Sequence, residues 1–230
     1  MKKYFVVLTL VLLFLGCSEG YSQKIYWTDG SSGKLQKHNI DGSGITTDVL
    51  TGLSSGYALA VDNDAGELYW TDFSAATIKK ININSLTVTP ILSSTDGLLS
   101  PRGIAIDGNN NRMFWADNST KKIQRSTLTG TGVTDIVSTG LVSPGYVAYD
   151  PLNSKVYFAD NGVGMKKIMR CNVDGSNLED VATSLNQVWG ISFNSLDNNI
   201  YWIDSGVDKI QKGNVSALPV TKADVVTGLT

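Results

Sequence analysis

The sequence predicts an all-β fold, a β-propeller of four-stranded antiparallel blades with about five blades present. An aromatic tetrapeptide ending in aspartate occurs five times, at intervals of 43 to 45 residues. Within each interval, short apolar runs alternate with turn residues, and no long helical stripe of apolar residues occurs. A period of this length with several strands per unit is typical of radially arranged sheets. The five copies are Tyr26-Trp27-Thr28-Asp29, Tyr69-Trp70-Thr71-Asp72, Phe114-Trp115-Ala116-Asp117, Tyr157-Phe158-Ala159-Asp160 and Tyr201-Trp202-Ile203-Asp204.

Composition limits the class of protein and of partner. The chain has 230 residues, of which 42% are hydrophobic and 17% charged, so it can bury one substantial core. Its formal net charge is -2, and its isoelectric point is about 5.3. This balance gives no electrostatic field that gathers polyanions. Nucleic acid is therefore not expected as a partner.

The N-terminus has the pattern of a secretion signal. Lys2 and Lys3 precede an uncharged apolar run over residues 4–16. This run is shorter than the roughly 20 residues that a membrane-spanning helix needs. We expect residues 1–16 to be a signal peptide of the lipoprotein type.

Cys17 ends a stretch that resembles the bacterial lipobox, Leu13-Phe14-Leu15-Gly16-Cys17, with Phe14 where that motif usually has leucine. Acylated Cys17 would begin a short linker over residues 17–23 and hold the protein to a membrane, each buried methylene contributing about 0.8 kcal/mol. Ser18 in place of aspartate is similar to the pattern sorted to the outer membrane. The expected location is therefore extracytoplasmic, lipid-anchored to the bacterial cell envelope at its outer membrane. The alternative is ordinary cleavage nearby, with Cys17 unmodified.

The second cysteine, Cys171, has no intramolecular partner if Cys17 is acylated, so the fold is expected to stand without disulfides. Its repeat column holds chemically unrelated residues in the other units, and a catalytic thiol is therefore not expected there. The equivalent residues are His38, Ile81, Ser126 and Gly213.

Each unit reads as four short strands joined by turns. In four units a short apolar strand is followed by a hairpin turn rich in Asn, Asp, Gly or Pro, and the motif comes next. An aliphatic residue then opens a third strand, and an alternating fourth strand follows another turn. Four copies of the innermost strand are recognisable, at residues 58–61, 103–106, 146–149 and 190–193. The propeller is expected to span residues 24–230.

The motif strand is expected to be buried on both faces. Trp27 and Asp29 face one side of it, and Tyr26 and Thr28 face the other. Both faces are largely apolar in every unit, as packing between two neighbouring blades requires. Small residues occupy one column of the innermost strands, where the strands crowd toward an axis: Ala60, Ala105, Ala148 and Ser192.

These repeats resemble the YWTD repeat, or class B repeat, of the low-density lipoprotein receptor family. The resemblance covers nearly everything after the signal segment and includes the internal offsets as well as the tetrapeptide. It implies six-bladed propellers that act as binding and scaffolding modules, with no catalysis. The count departs from that pattern, because five motifs and four innermost strands are present and the next innermost strand would be expected at residues 225–230. The chain is interpreted as a truncated six-bladed propeller or an incomplete five-bladed ring.

Two charged columns invite a chemical interpretation. The five motif aspartates could bind metal or act as acid and base, but they recur in every unit, whereas an active site needs distinct groups at one place. Capping of the strand end is therefore the favoured interpretation. A basic residue also recurs in the third strand of each unit. We expect these residues to lie on solvated faces or to form ion pairs with the motif aspartates of neighbouring blades. Either interpretation is favoured over a phosphate site. The basic residues are Lys37, Lys80, Arg125, Arg170 and Lys212.

Signatures of catalysis are thin. His38 is the only histidine, and the sequence has no CxxC, no HExxH and no phosphate-cradling glycine loop. We therefore expect no enzyme activity, no cofactor and no metal. The strongest enzymatic alternative is a metal-dependent hydrolase or lactonase with acidic and amide ligands in the channel, as on other six-bladed propellers. A purely structural envelope protein is a further alternative.

The candidate ligand-binding residues are those that break the repeat where the innermost strands begin. Large aromatic and basic side chains stand there, of the types that dominate binding hot spots: Tyr57, Arg102, Tyr146 and Trp189. The resemblance implies the same face for ligands and adds Phe73, Asn118 and Met165 as secondary candidates. The expected function is recognition of a protein, peptide or glycan through this loop face, with membrane contact only through the lipid anchor. The alternative is that these side chains plug the channel.

Overall fold

The computed structural model describes residues 11–13 and 24–229 of the chain. These residues form five antiparallel sheets of four strands each, and within every sheet the strands neighbour one another in sequence order. The predicted all-β propeller is therefore confirmed, with each sheet forming one blade. Two single-turn 3-10 helices, Ser94–Asp96 and Gly108–Asn110, lie in the connections on either side of the first strand of the third blade.

The blades are numbered in chain order. Blade 1 contains β1 (Val11–Leu13), β2 (Lys24–Asp29), β3 (Lys34–Asn39) and β4 (Thr47–Thr51). Blade 2 contains β5 (Gly56–Asp62), β6 (Glu67–Asp72), β7 (Thr77–Asn82) and β8 (Val88–Leu92). Blade 3 contains β9 (Pro101–Asp107), β10 (Arg112–Asp117), β11 (Lys122–Ser126) and β12 (Thr134–Val137). Blade 4 contains β13 (Pro144–Asp150), β14 (Lys155–Asp160), β15 (Lys167–Asn172) and β16 (Glu179–Ala182). Blade 5 contains β17 (Val188–Asn194), β18 (Asn199–Asp204), β19 (Lys209–Asn214) and β20 (Ala223–Thr227). In each blade the first strand is the innermost strand, and the second, which carries the tetrapeptide, is the motif strand.

The predicted hairpin turns between innermost and motif strands are confirmed at the backbone. In four blades the residue directly before the motif strand takes a left-handed conformation, which glycine and asparagine adopt most readily. These residues are Gly66 (φ 63), Asn111 (φ 53), Ser154 (φ 51) and Asn198 (φ 53). Turn chemistry thus sets where each motif strand starts.

The hydrophobic core lies between neighbouring blades, so burial of the motif strand on both faces is confirmed for blades 2 to 4. The first aromatic of each motif packs toward the following blade, and the second packs toward the preceding one. Four successive clusters contain the pairs Tyr26 and Trp70, Tyr69 and Trp115, Phe114 and Phe158, and Tyr157 and Trp202. Large aromatic side chains bury roughly 150 to 250 Å² each. These rings are therefore the main apolar contribution to blade packing.

Small residues line the axis, as the sequence predicts. Ala60, Ala105 and Ala148 are buried, whereas Ser192, the fourth residue of the predicted column, is exposed in the last blade. A Cβ atom added to Gly103 would lie 2.5 Å from the backbone nitrogen of Val147 in the next innermost strand. Neighbouring innermost strands therefore approach too closely there for a larger side chain.

The first and last blades each have one less covered face. Trp27 is only half-buried, and Ile203 is 37% exposed. Thr71, Ala116 and Ala159, which occupy the position of Ile203 in blades 2 to 4, are fully buried. The row of described blades therefore has two partly exposed ends.

The innermost strand of blade 1 differs from the sequence-based count. Four innermost strands are expected, but Val11–Leu13 forms a fifth, short one that pairs antiparallel with Lys24, Ile25 and Tyr26. It comes from the apolar run interpreted as part of a signal peptide, and a run of apolar residues satisfies the needs of a central strand equally well. Cys17 lies outside the described residues. In the part of the chain that is described, no helix has the length and apolar character to cross a bilayer.

A hydrogen-bonded Trp–Gln–Asp series crosses three of the blades. In blade 1, Trp27 Nε1 donates to Gln36 Oε1 at 3.1 Å, and Gln36 Nε2 donates to Asp48 Oδ1 at 2.8 Å. The same series recurs as Trp115, Gln124 and Asp135 in blade 3 and as Trp202, Gln211 and Asp224 in blade 5. Each indole N–H is thus satisfied from the neighbouring third strand.

Blades 2 and 4 lack this series, with opposite consequences. Trp70 lies opposite Lys79, and its buried Nε1 has no hydrogen-bond partner within the described chain. Blade 4 has Phe158 opposite Met169, a pair that needs no such bond. A buried donor without a partner costs about 1 to 3 kcal/mol. Blade 2 therefore carries an uncompensated donor that blade 4 avoids.

We expect Trp70→Ala to lower the free energy of unfolding by about 3 to 5 kcal/mol, because it leaves a cavity between blades 1 and 2. Trp27→Ala, on the less covered face of blade 1, should cost clearly less. Urea denaturation measures both values. A Trp70→Ala midpoint equal to that of the wild type would contradict the packing role.

We expect Lys79→Gln to stabilise the protein, because it places an acceptor opposite Trp70 Nε1, as in blades 1, 3 and 5. The gain should be about 1 kcal/mol, or a rise in Tm of about 2 to 4 °C. Differential scanning calorimetry measures the shift. The control is the same substitution in a Trp70→Phe background, where no N–H is present and no gain is expected. An equal gain in both backgrounds would show that another cause is at work.

Candidate functional site

The candidate binding residues come together because of the strand register. Gly56 pairs with Asp72, Pro101 with Asp117, Pro144 with Asp160 and Val188 with Asp204. The innermost strands therefore all begin at the end of the blades where the motif strands finish. In a propeller this end is one mouth of the central channel. The four primary candidates lie near the starts of these strands: Tyr57, Arg102 and Trp189 are the second residues of β5, β9 and β17, and Tyr146 is the third residue of β13.

Each motif aspartate of blades 2 to 5 fastens the loop that leads to this mouth. Asp117 is fully buried and accepts hydrogen bonds from the backbone N–H groups of Leu99 at 2.8 Å and Ser100 at 3.1 Å, and from Ser119 and Thr120 in the following turn. Equivalent amide pairs are donated by Ser54 and Ser55 to Asp72, by Val142 and Ser143 to Asp160, and by Asn186 and Gln187 to Asp204. A buried carboxylate needs such donors. Capping of the strand end is thus confirmed.

Aromatic side chains form a row across the channel mouth. Ring centroids are 6.4 Å apart for Phe73 and Tyr57, 5.6 Å for Tyr57 and Tyr146, and 6.1 Å for Tyr146 and Trp189. Tyr57 and Tyr146 belong to blades 2 and 4, which are not neighbours, so their rings meet across the opening. Tyr146 is buried, whereas Tyr57, Phe73 and Trp189 are half-buried. The row therefore narrows the channel and still presents aromatic surface.

Burial raises the pKa of Tyr146 far above its ordinary value, and the adjacent Tyr57 hydroxyl adds a smaller increase. Its phenol stays neutral throughout the physiological range. Tyr146 therefore contributes no negative charge to the mouth.

Arg102 brings the positive charge of this cluster. Its guanidinium carbon lies 5.6 Å from the ring centroid of Tyr57 and 5.5 Å from that of Phe73, within cation–π range. Among the described residues no carboxylate pairs with Arg102, and its buried Nε has no hydrogen-bond partner. Arg112 and Arg170, by contrast, pair with Asp107 and Glu179. We call Tyr57, Phe73, Arg102, Tyr146 and Trp189 the channel-mouth cluster.

The secondary candidates have different environments. Phe73 belongs to the channel-mouth cluster. The Asn118 side-chain nitrogen donates to Ser143 Oγ at 2.9 Å and to the carbonyl of Pro144 at 3.0 Å, so this amide is engaged in joining blade 3 to blade 4. Met165 is half-buried in the hairpin after β14 and lies outside the aromatic row.

Sequence reasoning missed the role of Asn161, which occupies the same repeat position as Asn118. Its side chain donates to the carbonyl of Val188 and accepts from the N–H of Val188, which joins blade 4 to blade 5. An asparagine directly after the motif aspartate in two successive units was the available signal. It indicates contact between blades rather than an open binding position.

The basic column does not form ion pairs with the motif aspartates, so that alternative is wrong. The carboxylates of Asp72, Asp117, Asp160 and Asp204 are already occupied by backbone N–H groups. The basic residues instead have other partners. Lys80 pairs with Glu67 at 2.8 Å, and Arg170 pairs with Glu179 at 2.8 Å. Arg125 donates to the carbonyl of Val173 in the next blade at 3.1 Å, and Lys212 lies 5.6 Å from the ring centroid of Tyr201.

Groups with catalytic potential are dispersed. Nδ1 of His38 lies 2.9 Å from the carbonyl of Asn39. Cys171 is fully buried in the cluster between blades 3 and 4, and burial raises its pKa to about 12. Within residues 24–229, no three His, Cys, Asp or Glu side chains are grouped so that they could hold a metal ion.

Comparison with known proteins supports the fold and leaves the activity open. No protein-family model matches the sequence, and no curated protein matches it. Among solved structures, a chain in the crystal structure of a nidogen/laminin complex superposes with a TM-score of 0.78 at 20% identity, covering 90% of this chain and 76% of that one. A structural genomics protein of unknown function from Bacteroides thetaiotaomicron gives a TM-score of 0.73 at 19% identity, covering 90% of this chain and 56% of that one.

An enzyme shares the architecture as well. Virginiamycin B lyase from Staphylococcus aureus superposes with a TM-score of 0.70 at 18% identity, covering 96% of this chain and 70% of that one. Identities in this range establish similarity of fold alone. Function must therefore be argued from the residues at the channel mouth.

We expect Cys171 to resist alkylation in the native protein, because the thiolate is the reactive form and burial disfavours it. With a pKa near 12, its reaction with iodoacetamide at pH 8 should be at least about 1000-fold slower than that of an exposed thiol. Mass spectrometry before and after unfolding in urea measures this. A lipidated Cys17 would add no reactive thiol, whereas a rapidly labelled cysteine in the folded protein would be Cys17 in its free form. Rapid labelling of Cys171 itself would contradict its burial.

Proposed function

We propose that this protein is an extracytoplasmic, lipid-anchored binding module with a YWTD-type propeller, which captures a protein, peptide or glycan at the channel-mouth cluster. The observation that carries the proposal is the guanidinium of Arg102, held between aromatic rings without an acidic partner in the described chain. The five motifs and the fold shared with a chain of a nidogen/laminin complex support a recognition role.

The side-chain types at the channel mouth suit recognition. Tyrosine, tryptophan and arginine are enriched among residues that dominate binding energy. Tyr57, Phe73 and Trp189 are half-buried, so they present aromatic surface that is already fixed by contacts with neighbouring rings. Fixed side chains lose little conformational entropy on binding. The cluster therefore favours a ligand that covers aromatic surface.

The charge at the channel mouth selects the chemistry of that ligand. Arg102 holds a cation in a partly desolvated position, and Tyr146 stays neutral. A carboxylate can accept a bidentate pair of hydrogen bonds from a guanidinium. An acidic side chain flanked by apolar groups therefore complements the site, which favours an acidic protein or peptide segment over a neutral glycan.

The lipid anchor is proposed from the sequence around Cys17, and it would leave the propeller outside the membrane. A propeller hydrolase and a purely structural envelope protein are the competing functions. The shared fold of virginiamycin B lyase keeps the enzyme in view. Elemental analysis of the purified protein separates the hydrolase, since a stoichiometric divalent ion would favour it.

We expect the double substitution Arg102→Ala and Trp189→Ala to abolish capture of the partner, because it removes the cation and one end of the aromatic row. Cross-linking and pull-down from the native envelope measure capture, and circular dichroism should be unchanged. The matched control is Lys212→Ala with Tyr201→Ala, which removes a cation and a ring from a third strand and a motif strand and should leave capture intact. Undiminished capture by the first variant would remove the channel mouth from consideration.

A further inference from the structure

The four innermost strands of blades 2 to 5 are attached to their motif strands in one shared way. A leucine comes first, and the next two backbone N–H groups are donated to the motif carboxylate. The segments are Leu53-Ser54-Ser55, Leu98-Leu99-Ser100, Leu141-Val142-Ser143 and Leu185-Asn186-Gln187. Each leucine is buried or half-buried. The motif carboxylate and its strand edge therefore form a defined receptor for an extended segment.

Asp29 of blade 1 does not receive this pair of amides. In the described part of the chain it accepts only from Ser31 and Ser32 in its own following turn, through both their N–H groups and their hydroxyls. The hydrogen bonds from these hydroxyls lower the pKa of Asp29 to about 2, and the bond from Ser31 has the largest effect. The carboxylate is thus ionised at neutral pH and retains acceptor capacity.

Thr28 shows the same deficit one residue earlier. In blade 2, Thr71 Oγ1 accepts from the N–H of Ala58 at 3.1 Å and donates to the carbonyl of Arg102 at 2.5 Å. Thr28 Oγ1 is buried and has no hydrogen-bond partner within the described residues. The missing donor corresponds to the amide of Ala58, which lies on an innermost strand.

Both groups lie on the part of β2 that the described residues of β1 do not pair with. The short strand β1 covers β2 only from Lys24 to Tyr26. In blade 2, β5 pairs along the whole motif strand, from Glu67 to Asp72. The half of β2 that contains Trp27, Thr28 and Asp29 therefore has no described innermost neighbour, and Trp27 is only half-buried.

We propose that the inner edge of β2 at Trp27, Thr28 and Asp29 is a strand-acceptor site that binds an extended segment of another polypeptide. The segment carries a leucine, then two residues with free N–H groups for Asp29, and then a strand of alternating small and aliphatic residues whose amide reaches Thr28 Oγ1. The leucine and the two donated N–H groups occur before all four innermost strands of blades 2 to 5, and the amide contact with a threonine hydroxyl occurs in blade 2; each of those segments is used in its own blade. Addition of a strand to a free sheet edge supplies affinity through main-chain hydrogen bonds.

A synthetic peptide with the sequence of residues 98–104 tests the proposal, because strand positions beyond Ile104 would meet the part of β2 that β1 already covers. The protein is produced from the full sequence, and mass spectrometry defines its N-terminus after processing by the host. Fluorescence anisotropy of the labelled peptide should show saturable binding, and the Tm of the protein should rise with peptide concentration. Absence of saturation up to about 1 mM, at which binding would contribute only about 4 kcal/mol, would overturn the proposal. This holds whether Val11–Leu13 remains or is removed.

A peptide with an ester in place of the amide at the second capping position identifies the contact with Asp29. The ester removes one N–H and keeps the shape, so it should bind about 10-fold more weakly, as expected for one hydrogen bond to a charged group. Asp29→Ala should weaken the parent peptide similarly and should no longer distinguish the two peptides. Equal affinities of the two peptides for the unsubstituted protein would contradict the assigned contact.

Thr28→Val provides a variant that keeps the fold. It removes a buried hydroxyl without a partner, so Tm should stay equal or rise, while affinity for the peptide should fall several-fold. The double substitution at Arg102 and Trp189 separates this site from the channel-mouth cluster. Peptide binding that is lost in that variant and survives Asp29→Ala would place the peptide at the channel mouth and overturn the strand-acceptor site.

Discussion

The structure depends on one repeated interaction, the acceptance of consecutive backbone N–H groups by a buried aspartate at the end of the motif strand in blades 2 to 5. In blades 2 to 5 this carboxylate joins three pieces of chain: the motif strand, the turn after it and the loop before the innermost strand. The loops that lead into the strands of Tyr57, Arg102 and Trp189 are therefore fixed by the same carboxylates that end the motif strands. Binding geometry and fold stability therefore share their hydrogen bonds.

Much of this architecture could be predicted from the sequence because its signals are local. Turn residues such as Gly66 and Asn111 set the hairpins, and the aromatic tetrapeptide marks a strand that is buried on both faces. The contacts that were not predicted depend on register or ring geometry. The bond from Trp115 to Gln124 requires knowing which residues face each other across two strands. The contact between Tyr57 and Tyr146 requires knowing that non-neighbouring blades meet at the axis.

The candidate site illustrates the same division. Repeat columns identified Tyr57, Arg102, Tyr146 and Trp189 as departures from the pattern, and the fold brings them to one mouth of the channel. The columns could not tell that Asn118 serves the contact between blades, because an asparagine that binds a ligand and one that joins two loops look identical in a sequence. The sequence also could not show that Arg102 has no acidic partner among the described residues. That becomes visible only because the structure places Asp107 beside Arg112 and Glu179 beside Arg170.

The tryptophan and glutamine series has a consequence for how such repeats diverge. Because each indole N–H is satisfied by a single residue on the next strand, a change at one position of the pair leaves a buried donor or acceptor stranded until the other position follows. Blade 4, with Phe158 and Met169, carries both halves of such a change, whereas blade 2, with Trp70 and Lys79, carries one. The two facing positions are therefore energetically coupled, so the cost of a substitution at one of them depends on which residue stands at the other.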